Sequence, residues 1–255
     1  MDDTKQGILL VHFGTSHDEA RARTMDVLEQ EVKRTYPGAA VRTAFTSHKV
    51  REILRERGVL YPDVPQALSW FADQGILRTT IRVSLLVDGH EYRKVKTQAA
   101  SCARQFHFLG LSQPLLHTQS LQQVADALTS FYPAKDKQLT LFMGHGKHAA
   151  RDSVYRELEV TLRKTGYDAR IVTLKDRESP QDLLAALPSP SDTRILLVPL
   201  LYVAGRHIQK DMLEGEGSWR SILTQEGYPV QTCTAGLGEY ASIRKLYIHA
   251  TVSAI

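Results

Sequence analysis

Two histidines stand just after apolar, strand-like segments in the C-terminal half of the chain. His145 follows the run LTLFMG, His207 follows the run ILLVPLLYVAGR, and glycine lies close to each of them. Runs of aliphatic and β-branched residues are typical of buried parallel strands, and the carboxyl ends of such strands meet at the sheet edge where α/β proteins bind ligands. Because imidazole binds zinc, iron, cobalt and nickel, the pair predicts a metal site at that edge.

A carboxylate stands at a comparable point in the N-terminal half. Glu91 follows the apolar run IRVSLLV and is preceded by His90. A metal that binds to N–H groups displaces their protons, and a nearby carboxylate is suited to accept them. The alternative is that Glu91 is an ordinary acidic residue in the first turn of a helix, where the helix dipole favours it.

A third polar segment, Gly14–Ser16, lies between a predicted strand and a predicted helix, so its backbone amides could hold an anion. The segment lacks the lysine of a P-loop and the full glycine pattern of dinucleotide-binding folds. The chain also contains no GxSxG elbow and no CxxC pair. Nucleotide chemistry and acyl transfer are therefore disfavoured.

The elements that must position these residues alternate between strand and helix, which predicts an α/β fold with mainly parallel sheets flanked by helices. Strands are predicted over residues 7–13, 40–45, 77–87, 138–144, 169–174, 193–203 and 230–234. Helices are predicted over residues 18–35, 49–56, 64–74, 148–165, 180–186 and 239–251, and a further helix is predicted to lead from the segment DGHEY toward Arg104. Residues 219–225 form a separate segment before the last strand. Each bound follows from periodicity and from the glycine and proline residues that interrupt it.

The two halves of the chain are similar to one another. LLVHFGTS aligns with LFMGHGKH, and LLVDGHEY aligns with LYVAGRHI, so that Glu91 corresponds to His207. We therefore predict two similar lobes, 1–134 and 135–255, with the boundary in the segment FYPAKDK and with the histidine pair in the second lobe. A ligand is expected between the lobes.

The charge distribution and the length of the apolar runs argue against nucleic acid and membrane as partners. The 255 residues carry a net charge of +4, and the basic residues are spread along the chain rather than gathered in a tract, so nucleic-acid binding is not expected. The longest apolar run, Ile195–Ala204, is too short to span a bilayer, and neither a signal peptide nor a cysteine pair is evident. We expect a cytoplasmic protein without membrane contact, and a homo-oligomer is compatible with the sequence.

Seven segments together are similar, in order and spacing, to the anaerobic sirohydrochlorin cobaltochelatases of the CbiK type. They are LLVHFGTSH, RTAFTSHKVREIL, LLVDGHEYRKV, FMGHGKH, PLLYVAGRHIQKDM, GEGSW and AGLGEYASIRKL. The resemblance covers nearly the whole chain. It implies a chelatase fold and an enzyme that inserts Co(II), its substrate metal, into sirohydrochlorin or a close precorrin in anaerobic cobalamin biosynthesis, without ATP, nucleotide or organic cofactor.

The resemblance also implies roles for individual residues. His145 and His207 match the metal-binding histidines, and Glu91 matches the active-site glutamate, so that His145 and Glu91 are the expected catalytic residues. Contacts to the tetrapyrrole are expected from His90, Lys175, Gly205, Arg206 and Ser16. Peripheral carboxylates are further expected to pair with basic residues, for which the candidates are Lys49, Arg93, Arg206 and Lys210.

One departure from the family pattern concerns Lys175. Ungapped alignment of ARIVTLKDRESPQDLL with the family places this lysine where relatives have a third metal-binding residue, a glutamate. A cationic lysine ligates metals poorly, so Asp176 or Glu178 would have to supply a carboxylate if one is used. The departure leaves open an iron- or nickel-inserting relative, and also a non-catalytic protein that binds haem or another metallotetrapyrrole.

Overall fold

The computed structural model describes residues 5–145, 149–173, 180–205 and 208–255. The chain divides into two compact units: unit 1 is the chain up to Leu115 together with Tyr240–Ile255, and unit 2 is Leu116–Glu239. Within the described ranges, no helix combines the length and the apolar character that a membrane crossing requires.

Unit 1 begins with alternating strands and helices. They are β1 (Gln6–His12), α1 (Asp18–Arg21), a π-helical segment (Ala22–Asp26), α2 (Val27–Thr35), β2 (Ala40–Phe45), α3 (His48–Glu56), α4 (Val64–Asp73), β3 (Arg78–Val83), α5 (His90–Cys102), a 3₁₀ turn (Ala103–Gln105) and β4 (Phe108–Ser112). Local side chains fix where the helices begin. Ser47 accepts a hydrogen bond from the Val50 amide at the start of α3, and Asp63 forms a reciprocal capping box with Gln66 at the start of α4.

Unit 2 continues the alternation, and the chain then returns to unit 1. The elements of unit 2 are α6 (Leu121–Phe131), β5 (Gln138–Gly144), α7 (Ala149–Lys164), β6 (Ala169–Thr173), α8 (Pro180–Ala186), β7 (Arg194–Pro199), a π-helical segment (Ile208–Leu213), α9 (Trp219–Gln225), β8 (Val230–Thr232) and a 3₁₀ turn (Leu237–Glu239). The returning elements are α10 (Ala241–Ile248) and β9 (Val252–Ala254).

The two sheets share one strand order. Unit 1 has the order β2-β1-β3-β4-β9, and unit 2 has the order β6-β5-β7-β8. All of the pairings are parallel except that of β4 with β9, which is antiparallel. The first four strands of unit 1 and the four of unit 2 therefore follow the same path, which confirms the predicted α/β fold with two similar, mainly parallel sheets.

Each sheet has its own hydrophobic core. In unit 1, Leu9 and Ile81 of the sheet are fully buried in one cluster with Phe71 of α4. In unit 2, Leu141 and Leu197 of the sheet are fully buried in another. Because helices cover the faces of parallel sheets, the edge at the carboxyl ends of the strands is where polar residues can gather.

The contact-based units differ from the predicted division at residues 134 and 135. Helix α6 belongs to unit 2, whereas α10 and β9 return to unit 1. Burial and ion pairing explain the return, because the buried guanidinium of Arg244 in α10 donates to both carboxylate oxygens of Glu31 in α2, at 2.9 and 2.7 Å. The closing helix itself was predicted, but its packing in unit 1 was not. Arg244 and Glu31 are more than 200 positions apart in sequence, so no local pattern indicates that they are in contact.

Element boundaries differ where side chains or proline interrupt the regular pattern. The predicted helix over residues 18–35 contains the π-helical segment Ala22–Asp26, where the buried Thr24 hydroxyl donates to the Ala20 carbonyl. The predicted strand over residues 193–203 ends at Pro199, which has no amide to continue a ladder. The strands β4 and β9 and the helix α6 were not predicted.

Candidate functional site

His145 directly follows β5, the most deeply enclosed strand of unit 2. All seven residues of β5 are buried, and His145 itself is half-buried at the carboxyl end. Glycine at position 144 makes room for Tyr155 of α7, because a Cβ on residue 144 would lie 3.0 Å from the tyrosine ring. The glycine before His145 therefore lets α7 pack closely against the strand end, so that the imidazole begins where the sheet stops.

The chain beyond β7 runs beside His145. Met143 pairs with Pro199 at the ends of β5 and β7, and the Leu200 amide donates to the Met143 carbonyl at 2.9 Å. The chain then continues to Gly205, which is half-buried and has open space where a Cβ would project. The structure thus brings the carboxyl ends of β5 and β7, which lead to His145 and toward His207, to the same edge of one sheet.

Several predicted residues lie outside the described part of the chain. They are His207, Arg206, Lys175, Asp176 and Glu178. Within the described ranges, no group of three or more His, Cys, Asp or Glu residues is arranged to hold a metal ion. The metal pair of His145 and His207 and the substrate roles of Lys175 and Arg206 therefore stay predictions.

In unit 1, Glu91 occupies the first turn of α5, after Gly89 at the helix N-cap. Its Oε2 atom is buried and has no hydrogen-bond partner in the described part of the chain. Buried carboxylate oxygens are usually hydrogen-bonded, because desolvation without a partner costs free energy. Glu91 therefore lies at a helix start beside the carboxyl edge of the sheet, where a carboxylate can serve as a proton acceptor.

The neighbours of Glu91 differ in what they can contact. His90 is exposed at the first position of α5. Arg93, one of the predicted basic contacts, forms an exposed ion pair with Asp88 at 3.1 Å. Lys94 instead points back to the sheet, donating to the Thr46 carbonyl at 2.9 Å. Lys49 is exposed in α3.

Ser16 lies in the turn between β1 and α1. It is half-buried, and its carbonyl accepts a hydrogen bond from the Arg57 guanidinium at 2.8 Å. Gly14 opens the turn with φ +100°, a conformation that favours glycine, and a Cβ there would come within 2.7 Å of the Phe45 ring. Ser16 therefore lies at the same sheet edge as Glu91, although no ligand contact is defined by this geometry.

His12 lies in the strand predicted over residues 7–13, and the structure places it as the last residue of β1. The imidazole is fully buried, its Nδ1 lies 2.6 Å from the Ser84 hydroxyl, and its ring meets Phe45 edge-on. Burial lowers the pKa of His12 to about 3, against a smaller opposing effect of Glu29. His12 is therefore a neutral core residue, and the unbroken apolar run that contains it was the available signal.

The fold with its repeated strand order is shared with a solved structure. SirB from Bacillus subtilis, solved with Fe³⁺, shares this fold with a TM-score of 0.67 at 12% identity, over 97% of this chain and 94% of SirB. The fold is that of the α/β chelatases.

Sequence comparison gives the family. The model of the cobalt chelatase family (CbiK) matches residues 6–255. The chain belongs to this family. It is 29% identical to a sirohydrochlorin cobaltochelatase of Salmonella typhimurium, over 96% of this chain and 94% of that protein. It is also 27% identical to a sirohydrochlorin cobaltochelatase of Nitratidesulfovibrio vulgaris, over 99% and 91% of the two chains.

Proposed function

We propose that the protein inserts Co(II) into sirohydrochlorin or a close precorrin, without ATP or an organic cofactor. The observation that carries the proposal is the family match from residue 6 to residue 255, which includes the motifs of both predicted histidines. Two relatives of nearly the same length bear the name sirohydrochlorin cobaltochelatase. The anaerobic route to cobalamin would supply the macrocycle and use the product.

The chemistry requires metal capture and proton removal. Insertion of a divalent metal forms four N–metal bonds, breaks the bonds from the metal to its protein ligands, and displaces the two N–H protons of the macrocycle, so two protons must leave. In the proposed mechanism, His145 and His207 hold Co(II) as it approaches, since imidazole is a suitable ligand for cobalt. Glu91 accepts one proton as the N–metal bonds form, and the neighbouring His90, which is exposed, accepts the other.

Substrate contacts complete the proposed site. The tetrapyrrole carries peripheral carboxylates, and a charge of +4 suits a protein that binds a polyanion. Arg206 and Lys175 are the proposed cationic partners, while His90, Gly205 and Ser16 would lie beside the macrocycle. Lys49, Arg93 and Lys210 are further candidates for these contacts.

The test follows metal insertion directly. Purified protein is mixed with sirohydrochlorin and Co(II), Fe(II) or Ni(II), and the absorbance change of the macrocycle is compared with a protein-free control. Acceleration with Co(II) supports the proposal. Acceleration with only Fe(II) or Ni(II) would identify an iron- or nickel-inserting relative, and no acceleration with any metal, together with tight binding of the finished complex, would identify a carrier.

A further inference from the structure

Four residues near the end of unit 2, Gly236, Leu237, Gly238 and Glu239, form what we call the GLGE loop. The loop runs alongside the chain that leaves β7. The Leu237 amide donates to the Leu201 carbonyl at 2.8 Å, and the Gly238 amide donates to the Tyr202 carbonyl at 2.9 Å. Two consecutive backbone bonds therefore fix the GLGE loop against a segment that is no longer part of the sheet.

Contact at Gly236 is closer than any side chain allows. A Cβ there would lie 2.7 Å from the Ala204 nitrogen, 2.7 Å from the Tyr202 carbonyl oxygen and 3.0 Å from the Val203 Cα. These are main-chain atoms, so rotation of a side chain cannot relieve the overlap. Gly236 is thus required for close backbone approach, and a larger residue would have to displace Tyr202–Ala204.

The GLGE loop is also held in shape from within. The Glu239 Oε1 atom accepts a hydrogen bond from the Gly236 amide at 2.9 Å, and Leu237 is fully buried. The segment that it contacts has lost the support of regular secondary structure, because β7 ends at Pro199. The backbone bonds at Leu201 and Tyr202 therefore replace the missing ladder.

We propose that the GLGE loop is a positioning element for the segment Leu201–Gly205, and through it for His207, so that it determines how well the protein captures Co(II). Gly236 contacts the chain three residues before His207, and Gly205 is two residues before it. The metal part of this inference rests on the proposed function. Small displacements of groups that orient a metal ligand typically weaken metal binding or activity.

The experiment compares three variants with the wild-type protein. Gly236→Ala introduces the clash, Glu239→Ala removes the acceptor for the Gly236 amide, and Glu239→Gln retains an oxygen at that position. Gly217→Ala is the matched control, since Gly217 is exposed and a Cβ there would meet open space. The readouts are KM for Co(II), kcat, and hydrogen exchange in peptides that cover Leu201–Gly205.

For Gly236→Ala we expect KM for Co(II) to rise about tenfold or more, kcat to change little, and exchange over Leu201–Gly205 to accelerate. Glu239→Ala should act in the same direction, and Glu239→Gln and Gly217→Ala should resemble wild type. If Gly236→Ala fails to fold, Glu239→Ala is compared with Glu239→Gln for KM and for exchange instead. Wild-type KM and wild-type exchange in Gly236→Ala, or in Glu239→Ala if only that variant folds, would overturn the inference.

Failure of the proposed function would look different. A wild-type chain that inserts no metal refutes the proposed function, whatever the variants do. The exchange comparison then decides the structural part alone: unchanged exchange over Leu201–Gly205 overturns it, and faster exchange supports it.

Discussion

The His12 imidazole and the Ser84 hydroxyl are joined by a 2.6 Å hydrogen bond that links the ends of β1 and β3 inside unit 1. Ser84 is held at its main chain as well, because its amide donates to the Val11 carbonyl at 2.9 Å and its carbonyl accepts a hydrogen bond from the Tyr247 hydroxyl. Ser84 opens the segment that leads into α5 and Glu91. The neutral histidine thus helps to anchor the chain that positions the proposed proton acceptor.

Burial of His12 predicts a loss of stability in acid. Because burial lowers the pKa of His12 from 6.5 to about 3, the unfolded chain takes up a proton in this range and the folded chain does not. The contribution of His12 is therefore present above pH 6.5 and is lost as the pH falls toward 3. Between pH ~7 and ~5, wild type should lose about 2 kcal/mol more unfolding free energy than His12→Gln.

Urea denaturation at the two pH values measures this difference. His48→Gln removes an imidazole that is 72% exposed and serves as the control. Equal losses in wild type and His12→Gln would show that His12 does not titrate as a buried neutral group.

Removal of the Arg244 side chain should destabilise unit 1. Arg244→Ala leaves Glu31 without the two hydrogen bonds that join α10 to α2, and we expect a loss of about 2 kcal/mol in unfolding free energy. Arg93→Ala, which removes an exposed ion pair with Asp88, should cost less than about 1 kcal/mol. Chemical denaturation of both variants makes the comparison, and equal costs would argue against a structural role for the buried pair.

Most of the alternating elements could be predicted from local patterns, but the return of the chain to unit 1 could not. The strands Ala40–Phe45 and Gln138–Gly144 were predicted at their observed bounds, because glycine, proline or charged residues flank short, mainly apolar segments. Strand β9 is three residues long, and it fits because Gly110 of β4 leaves room for the Val252 side chain, which would overlap a Cβ at that position. A contact between residues so distant in sequence has no periodic signature.

The candidate site was predictable to a similar extent. The position of His145 at a sheet edge followed from the strand before it, and the structure agrees. The burial of His12 depended on packing against Phe45 and Ser84, which belong to other elements. The hydrogen bonds from the GLGE loop to Leu201 and Tyr202 could not be predicted either, because they join backbone segments that are far apart in sequence.

Glu91→Gln should slow the chemical step rather than metal capture. The amide retains the size of the side chain but cannot accept a proton from the macrocycle, so kcat should fall about 100-fold while KM for Co(II) changes little. Glu56→Gln, at an exposed position in α3, is the control. Steady-state kinetics with sirohydrochlorin provide the measurement, and a wild-type kcat in Glu91→Gln would exclude it as the proton acceptor.

Lys175→Glu should strengthen metal capture. A carboxylate at this position would restore the third ligand that the resemblance implies, and KM for Co(II) should fall about tenfold. KM for sirohydrochlorin should rise, because the variant loses a proposed cationic partner of the peripheral carboxylates. Lys164→Glu makes the same change of charge at an exposed position of α7 and should leave KM for Co(II) unchanged. Initial rates over a range of Co(II) concentrations distinguish the two variants. An unchanged KM in Lys175→Glu would mean that this residue is not placed near the metal.

The central claim concerns His145 as a ligand for the incoming cobalt, and the rate of Co(II) insertion by His145→Ala tests it most directly. His249→Ala, which removes an exposed histidine at the end of α10, is measured beside it. We predict that wild type and His249→Ala accelerate formation of cobalt sirohydrochlorin, and that His145→Ala, folded as judged by circular dichroism, falls to the protein-free rate. Insertion by His145→Ala at the wild-type rate would contradict the claim.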